Sequence, residues 1–536
     1  MQYIFKFLFT CFSTFFILHV QAQFDSSNFP SKTDTFKQIN IINAESLRQI
    51  TIDDSTILET LSGNAIVKQG TTILSGDSIV LNKRSGITEV FGNVHINNAD
   101  TVNTYSQYLM YVGNDQVAYL KNKVKFSDGK ATLFTEDLEY NLKTGIANYK
   151  NGGKVINDKT VLTSENAVYY SDTKDVFFHK TVHLVDPKYD MISDSLRYNT
   201  AFKNTYFIAP TFIKSKNGNI ETHSGTYNLQ TGEAVFFDKT IFRDGDKYLS
   251  GNKIAFDEKS DMVQIEENGK FVDSSKSIIV LGNQILIDKK NSTFLATRKP
   301  VMIFYKKNDS TYISADTLFS GKKLITLEKK SDSLQKNIKT TNKKENQDSI
   351  SYFVGFHHVR IFNDSIQAAS DSLYYSTEDS TFKLFQQPIC WNGNTQITGD
   401  TMFLSTENKQ PKEVKVFYNT LVVNKTPEGF FNQISGKTIN GYFNEGEIYY
   451  IKTKGNSAES IFYPQDEDNA YTGMNKSTSD AIELFIVNKN ADKIKYINDV
   501  RGTLYPMNQI PEQLKRLKNF SWQDSRRPKN KLELFE

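Results

Sequence analysis

The sequence predicts an all-β protein built from stacked repeats of about 30 residues. Three observations predict it: short motifs recur at a nearly constant spacing, apolar and polar residues alternate in short runs, and helical periodicity is almost absent. The composition agrees, since the 536 residues include 39 Phe and 27 Tyr but only 11 Pro, and aromatic residues favour strands. Repeats that stack give an elongated molecule instead of the roughly three domains ordinarily expected at this length.

The charges are balanced, with 64 Lys and Arg against 61 Asp and Glu and a formal net charge of +3. A balance this close gives no bulk attraction to a polyanion. A nucleic-acid partner is therefore not expected.

The N-terminus has the pattern of a cleaved secretory signal over residues 1–22, with Lys6, an apolar run and a small-residue cleavage site at Ala22. The alternative is an uncleaved membrane anchor, although the apolar run is shorter than the ~20 residues of a membrane span. The mature chain would keep only Cys390, which excludes an intrachain disulfide and a cysteine-based zinc site. No cofactor is expected.

The first recurring motif is a small residue, an acidic or amide residue and then alternating apolar positions. It begins at Ser75-Gly76-Asp77 and returns around Gln107, Asp137 and Asn166, at spacings of 30, 30 and 29 residues. The fainter members of the series include Glu45 and Asp480. One interpretation of these side chains is a calcium site; the other, which we favour, is that they accept backbone N–H groups at the starts of strands.

A second motif lies half a period away, as in Gly92-Asn93-Val94-His95-Ile96. Its anchors recur every 27 to 31 residues until Val301, and the next anchor, Val359, follows after 58. The polar stretch from residue 328 to 350 lies in this gap, and we interpret it as a flexible insertion that replaces or interrupts one repeat. Apart from a possible short helix between Pro511 and Asn519, each repeat is expected to contain two or three strands.

These motifs resemble the OstA/LptA family of lipopolysaccharide-transport proteins, most clearly over residues 40 to 200. The resemblance implies an antiparallel β-jellyroll, or β-taco, of two sheets folded as a V around an apolar interior that carries acyl chains. The chain is longer than a single-jellyroll carrier and lacks the run of amphipathic strands that an outer-membrane barrel requires. The expected organisation is a signal peptide (1–22), a linker (23–40), an OstA/LptA-like jellyroll (41–200), continued jellyroll repeats (201–327), a polar insertion (328–350), further repeats with a C-terminal cap (351–510) and a basic tail (511–536).

Ten apolar residues are the candidate lipid-binding side chains, because alternation places them on one face of successive strands. They are Ile79, Leu81, Val94, Ile96, Leu109, Tyr111, Val124, Phe126, Leu138 and Tyr140. If the two sheets close fully, these side chains form a dry core. If the sheets stay apart at one edge, they line a groove that can bury acyl chains at ~0.8 kcal/mol per CH₂.

Other chemistry has weak support in the sequence. His179 and His183 would share a face of one strand, but no third metal ligand stands at a telling distance. Adjacent His357 and His358 would place their rings on opposite faces. The tail is rich in Lys and Arg, which indicates either a solvated end or a patch for anionic headgroups or a partner. No catalytic motif is present, and an enzyme is not expected.

The sequence thus favours a periplasmic, non-enzymatic protein that shields lipopolysaccharide acyl chains, with association at the outer membrane as a further expectation. Its expected partners are lipopolysaccharide, other jellyroll proteins that pair through edge strands, and an outer-membrane assembly barrel. The alternatives are a structural or adhesive β-solenoid of the cell envelope and a polysaccharide-degrading parallel β-helix. The parallel β-helix is disfavoured, because its rungs are nearer 20–25 residues.

Overall fold

The computed structural model describes residues 39–53, 56–98, 102–216, 218–305, 310–324, 349–407 and 410–535. The expected signal peptide and nearly all of the linker lie outside these residues, as do residues 328–348 of the expected insertion. Among the described residues, no helix is both long and apolar enough to cross a membrane.

The all-β fold predicted from the repeats is confirmed. The described residues form one antiparallel ladder of 38 strands. Most long strands pair with the strand before and the strand after, whereas many of the shorter ones pair with one neighbour in the chain and with one strand further along. Each pairing step adds about 4.8 Å along the stack, so the molecule is elongated. The strands of the N-terminal part are β1 (Asn40–Asn43), β2 (Ser46–Asp53), β3 (Thr56–Gln69), β4 (Thr72–Asn82), β5 (Ile87–Asn98), β6 (Val102–Val112), β7 (Val117–Ser127), β8 (Thr132–Asn141), β9 (Ile146–Tyr149), β10 (Gly153–Asn157), β11 (Thr160–Ser164), β12 (Asn166–Tyr170), β13 (Asp175–Val185), β14 (Tyr189–Asn199), β15 (Asn204–Phe207), β16 (Thr211–Ser215), β17 (Gly218–Thr222), β18 (Ser224–Asn228) and β19 (Glu233–Asp244).

The C-terminal part continues the same ladder and ends in four short 3₁₀ helices, one of which lies within the segment expected to be helical. Its strands are β20 (Lys247–Asp257), β21 (Met262–Asp273), β22 (Ile278–Asp288), β23 (Thr293–Thr297), β24 (Val301–Phe304), β25 (Thr311–Ser314), β26 (Thr317–Leu324), β27 (Ser349–Phe362), β28 (Ile366–Ser376), β29 (Thr381–Phe385), β30 (Ile389–Asn392), β31 (Thr395–Thr398), β32 (Thr401–Glu407), β33 (Gln410–Lys425), β34 (Phe431–Asn444), β35 (Glu447–Phe462), β36 (Gly473–Val487), β37 (Asn490–Ile497) and β38 (Arg501–Pro506). The 3₁₀ helices are Met507–Gln509, Glu512–Leu514, Asp524–Arg526 and Lys531–Leu534.

A hinge bends the ladder near the middle of each long strand. In β3, Gly63 and Asn64 both have a positive φ and together lie opposite the single residue Asp77 of β4. Two residues against one make a bulge, which bends the strand. The same geometry recurs at Gly92-Asn93 of β5 and at Asn122-Lys123 of β7.

The hinge divides the ladder into two facing layers. Leaf 1 contains the strand halves on the side of Thr56–Ser62, and leaf 2 contains those on the side of Ala65–Gln69. Where the hinge interrupts pairing, the two halves are separate strands, as in β9 and β10. Both recurring sequence motifs therefore mark the hinge. The first motif marks it in one strand and the second motif marks it in the next strand, so the two motifs are offset by half a period.

The small residue of the first motif is buried at the hinge, and its hydroxyl group holds the bend. Ser106 Oγ donates a hydrogen bond to the carbonyl oxygen of Tyr108 at 3.0 Å. The equivalent hydroxyl groups of Thr135, Ser164 and Ser193 donate to the carbonyl oxygen two residues further on. A larger side chain would collide with the opposite strand, as a Cβ on Gly76 would with Val90.

The acidic or amide residue of the first motif lies at a strand start in some repeats and not in others. Asn166 is the first residue of β12 and Asp400 directly precedes β32, whereas Asp77 lies within β4. Asp77 accepts hydrogen bonds from Asn93 Nδ2 at 3.0 and 3.1 Å, and Asp400 accepts from Asn419 Nδ2 at 3.1 and 2.9 Å. Because both amides belong to the bulged strand, these carboxylates fasten the hinge of a neighbouring strand.

The double spacing between Val301 and Val359 contains one repeat and not two. Leu324 of β26 pairs directly with Ser349 of β27, so the ladder continues across the intervening segment without a missing step. The intervening segment therefore interrupts one repeat between two paired strands and does not replace a repeat.

Candidate functional site

The ten candidate residues lie on the inner face of the V and come from both leaves. Val94, Ile96, Val124 and Phe126 belong to leaf 2, and the other six belong to leaf 1. Eight of the ten are buried, whereas Ile96 and Tyr111 are half-buried. They belong to, or pack against, one apolar cluster that extends from Leu61 to Phe236.

Aromatic side chains close the interior between residues 120 and 170. The ring of Phe126 on leaf 2 lies 5.5 Å from that of Tyr140 and 6.1 Å from that of Tyr169, both on leaf 1 and both in edge-on geometry. Such edge-to-face pairs add to the free energy gained by burial. Here Val124 and Leu138 are buried in the packed interior, while Phe126 and Tyr169 border a remaining space of about 40 Å³.

The interior opens toward the N-terminal end. A cleft of about 50 Å³ lies between the leaves and is lined by Leu74, Ile96, Val102 and Tyr111, among others, with Ile39 at its end. Of the ten candidate residues, Ile96 and Tyr111 are the two that both line this cleft and are only half-buried.

The first two strands leave the inner face uncovered. Ile41 pairs with the buried Val67, and Leu47 pairs with the buried Leu61. Residues directly opposite each other in an antiparallel pair share a face, so Ile41 and Leu47 face inward, yet they remain 45% and 59% exposed. The apolar interior therefore reaches solvent at this end of the described chain.

Polar contacts join the two leaves across the open side of the V, and we call them clasps. Tyr169 on leaf 1 donates to Asp128 Oδ2 on leaf 2 at 2.8 Å. Lys203 on leaf 1 forms an ion pair with Asp158 on leaf 2. The third clasp joins Lys188 Nζ to Glu258 at 3.0 Å.

The clasps continue in the C-terminal half. The side chain of Asn392 donates to the carbonyl oxygen of Gly446 at 2.9 Å and accepts from the backbone N–H of Ile448 at 3.0 Å. Asn424 makes the equivalent pair of contacts with Lys489 and Ala491. Behind these clasps a second apolar cluster fills the interior from Leu249 to Ile486.

Burial changes the acidity of the groups between the leaves. It raises the pKa of Tyr149 and Tyr198 to about 12 in each case, so both hydroxyl groups stay protonated at neutral pH. Burial also raises the pKa of the Cys390 thiol to about 12, although the charge of Arg527 opposes this. Tyr149, Tyr198 and Cys390 are therefore uncharged at neutral pH.

The four histidines considered as possible ligands have separate partners. The hinge at Lys180-Thr181 lies between His179 and His183 and sends them to different leaves, where they contact Ser195 and Asp190. His357 and His358 form a hinge themselves and contact Asp371 and Asp316 at 3.1 and 2.9 Å. Among the described residues, no group of three or more His, Cys, Asp and Glu side chains is arranged to hold a metal.

The basic tail packs against the outer face of leaf 2, in contrast to the solvated end considered above. The buried side chain of Gln396 donates to the carbonyl oxygen of Ser521 at 2.7 Å and accepts from the backbone N–H of Gln523 at 2.8 Å. Gln433 holds Lys515 and Leu517 in the same way, with both distances 2.8 Å. Leu517 is buried in an apolar cluster with Leu421, Val423, Ile461, Tyr463 and Met474.

Three groups of structural residues were not predicted from the sequence: the clasps, the two glutamines and a series of asparagines at the edge of leaf 1. Asn82, Asn141, Asn199 and Asn228 each accept backbone N–H groups two and three residues further on, at turns of leaf 1. Their recurrence after Leu or Tyr at multiples of about 29 residues could have revealed the asparagines. The clasps have no such signal.

One segment of the chain matches a known protein family. Residues 37–194 match the family model described as OstA-like protein, and the resemblance inferred from the hinge motifs is thus confirmed for this segment. No curated protein matches the chain.

Among solved structures, the chain is similar to LptH from Pseudomonas aeruginosa, described as the LptA homologous periplasmic component of the conserved lipopolysaccharide transport device. The identity is 20%, the match covers 22% of this chain and 85% of that chain, and the TM-score is 0.20.

Proposed function

Because the chain carries an OstA-like region at residues 37–194, we propose that it is a periplasmic, non-enzymatic lipid-binding protein of lipopolysaccharide transport. In this proposal the inner face at the N-terminal end receives acyl chains, and the rest of the array serves as a rigid extension. The observation that carries it is the uncovered apolar interior, where Ile41 and Leu47 face inward without being buried.

The cleft gives this end a continuous apolar path into the molecule. Ile39 lies at its end, and Ile96 and Tyr111 line it further in. An acyl chain placed along this path gains ~25 cal/mol for each Å² of apolar surface removed from water. Tyr140 also borders this cleft, although it is buried. Val124, Phe126 and Leu138 do not line the cleft, so we propose that they support the site from the packed interior beside it.

The ends of the ladder support partner docking by strand addition. β1 and β2 each pair only with β3, and β37 and β38 each pair only with β36, among the described strands. Unpaired edges carry free N–H and C=O groups and are templates for another strand. We propose that other jellyroll proteins of the transport bridge, and an assembly barrel at the outer membrane, bind at these ends.

The test is lipid loading of the mature chain, residues 23–536, purified from an envelope expression host and examined by native mass spectrometry. Wild type should carry lipopolysaccharide, and Ile96→Asp should lose it because a carboxylate enters the cleft. Ile73→Asp is the matched control, since Ile73 is exposed on the outer face of the adjacent β4.

Circular dichroism should show unchanged strand content in both variants. Folded wild type without lipid would contradict the proposal and favour a structural or adhesive β-solenoid of the cell envelope. Equal lipid loading of Ile96→Asp and Ile73→Asp would contradict the assignment of the cleft.

A further inference from the structure

A second and larger space between the leaves lies around residues 187–289, mostly beyond the OstA-like region. Its volume is about 320 Å³. It lies at the boundary between the two apolar clusters of the interior. The N-terminal cluster ends at Phe236 and the C-terminal cluster begins at Leu249, and Phe256 packs against both clusters. The core is therefore incomplete at this junction.

The walls of this junction cavity are apolar and come from both leaves. Ile213 and Leu249 belong to leaf 2, and Phe236, Ile254 and Phe256 belong to leaf 1. Ligand pockets in proteins commonly measure about 300–1,000 Å³, so this volume suits a slender apolar group such as one acyl chain.

The mouth of the cavity lies between the free edges of the leaves and is rich in lysine. Lys188 and Lys216 stand on turns of leaf 2, and Lys289 stands on a turn of leaf 1. Glu258 is the one carboxylate among the lining residues, and it is engaged by Lys188 at 3.0 Å and by the Tyr189 hydroxyl group at 3.1 Å.

Lys216 and Lys289 give the mouth its excess positive charge. The Lys289 ammonium group lies 5.1 Å from the ring centroid of Phe242 and 5.4 Å from that of Phe256. It is thus held directly above two rings that line the cavity. An ammonium group is a strong point charge for phosphate oxygens, and its position at the surface leaves it accessible without desolvation.

We propose that the junction cavity binds an anionic amphiphile, with one acyl chain between the leaves and a phosphate headgroup against Lys216 and Lys289. This inference rests on the proposed function only in taking the cargo to be a lipid. It adds a second lipid site with a preference for negative charge, at the open side of the V and about 150 residues along the chain from the N-terminal cleft.

The test measures binding of two fluorescent lipids that carry the same labelled acyl chain, phosphatidylglycerol and phosphatidylcholine, to the mature chain. Phosphatidylglycerol should bind more tightly to wild type. The double variant Lys216→Gln with Lys289→Gln should lose about 30-fold in affinity for it, at roughly 5-fold for each lysine, and should bind phosphatidylcholine as wild type does.

Lys214→Gln is the matched control, because Lys214 lies on the same strand as Ile213 but on the outer face. Ala234→Trp is a second variant that fills the cavity from its buried wall. It should abolish binding of both lipids at this site while Ile96→Asp leaves that binding intact.

The outcomes separate this inference from the proposed function. The junction site is supported if the double lysine variant loses its preference for phosphatidylglycerol while Lys214→Gln and Ile96→Asp keep that preference. The junction site is overturned if the double lysine variant binds phosphatidylglycerol as tightly as wild type does. This holds even if lipopolysaccharide still loads at the N-terminal cleft. Displacement of the lipid by inorganic phosphate alone also overturns it, since the site would then bind a free anion.

Discussion

The phenolic hydroxyl group of Tyr169 donates a hydrogen bond to Asp128 Oδ2 at 2.8 Å, and the two residues lie on different leaves. They stand 41 residues apart in the sequence, more than one repeat, so the contact exists only because the sheet folds back on itself. It fastens the open side of the V beside the aromatic group of Phe126, Tyr140 and Tyr169. We infer that the clasps hold the free edges of the two leaves together.

Tyr169→Phe should weaken this clasp without leaving a gap. Removal of the hydroxyl group leaves the partly buried Asp128 carboxylate without one of its donors, at an expected cost of about 1 kcal/mol. Hydrogen-exchange mass spectrometry should show faster exchange in residues 128–135 and 166–170. Tyr170→Phe is the control, since Tyr170 is exposed on the outer face. Equal protection in both variants would contradict a clasp at Tyr169.

The same clasp should depend on pH. Burial alone would raise the pKa of Asp128, but the backbone N–H groups of Ala131 and Lys130 and the Tyr169 hydroxyl group outweigh it and hold the pKa below its ordinary 3.8. A carboxyl group with a lowered pKa stabilises the fold fully above its unfolded value and loses that contribution as the pH falls through the folded value. The urea midpoints of wild type and Asp128→Asn should therefore differ at pH 7 and converge at pH 2. A constant difference would exclude the linkage.

Substitution of a hinge glycine should lower the free energy of unfolding by more than substitution of a turn glycine with a similar φ. Gly92 and Gly129 have φ of 69° and 85°, so alanine at either costs ~1–2 kcal/mol in backbone strain. A Cβ at Gly92 would also displace the Asp77 carboxylate from Asn93, whereas a Cβ at Gly129 meets nothing within 4 Å. Gly92→Ala should lower the free energy of unfolding by about 1 kcal/mol more than Gly129→Ala. Chemical denaturation measures both, and equal values would show that Asp77 does not fasten the hinge.

Leu109→Asp should unfold the N-terminal repeats and not merely prevent lipid loading. Leu109 is 1% exposed and belongs to the N-terminal apolar cluster, although it borders the cleft. A carboxylate there combines a lost apolar side chain with an unpaired buried charge, at a cost of more than about 4 kcal/mol. Loss of protection across β5 to β8 in hydrogen exchange would show it. A folded Leu109→Asp that loads no lipid would indicate that the leaves separate more widely than their packing implies.

Gln396→Ala should release the C-terminal tail. The substitution leaves the carbonyl oxygen of Ser521 and the backbone N–H of Gln523 without their partner, at about 1–3 kcal/mol for buried groups. Trypsin should then cut at Lys515, Arg516 and Lys518 several times faster than in wild type. Gln410→Ala, at an exposed position of β33, should leave the rate unchanged. A tail that resists trypsin in both variants would show that its apolar contacts alone hold it.

Cys390 should report on the closed C-terminal core. Burial raises the pKa of its thiol to about 12, and the thiolate is the reactive form. In native protein at pH 8, labelling by a thiol reagent should be at least 100-fold slower than in urea-unfolded protein. Rapid labelling of native protein would contradict a dry interior at β30.

The sequence predicted those features that repeat. A period near 30 residues and the alternation of side chains were enough to place Ile79, Val94, Leu109 and Leu138 on one inner face, because both signals depend only on local backbone geometry. The OstA-like resemblance depended on the same recurring residues. The sequence did not show that Gly92-Asn93 and Asp77 form one hinge, because the contact between them joins neighbouring strands.

The tertiary structure alone decided whether that inner face is a core or a groove. Contacts across the open side of the V join Tyr169 to Asp128, Lys188 to Glu258 and Asn392 to Gly446, which lie 41, 70 and 54 residues apart. The first two separations are not multiples of the repeat, because these contacts join turns of different leaves, which alternate along the chain. A periodic sequence specifies the steps of the ladder, whereas the closure of its open side depends on single contacts between distant turns.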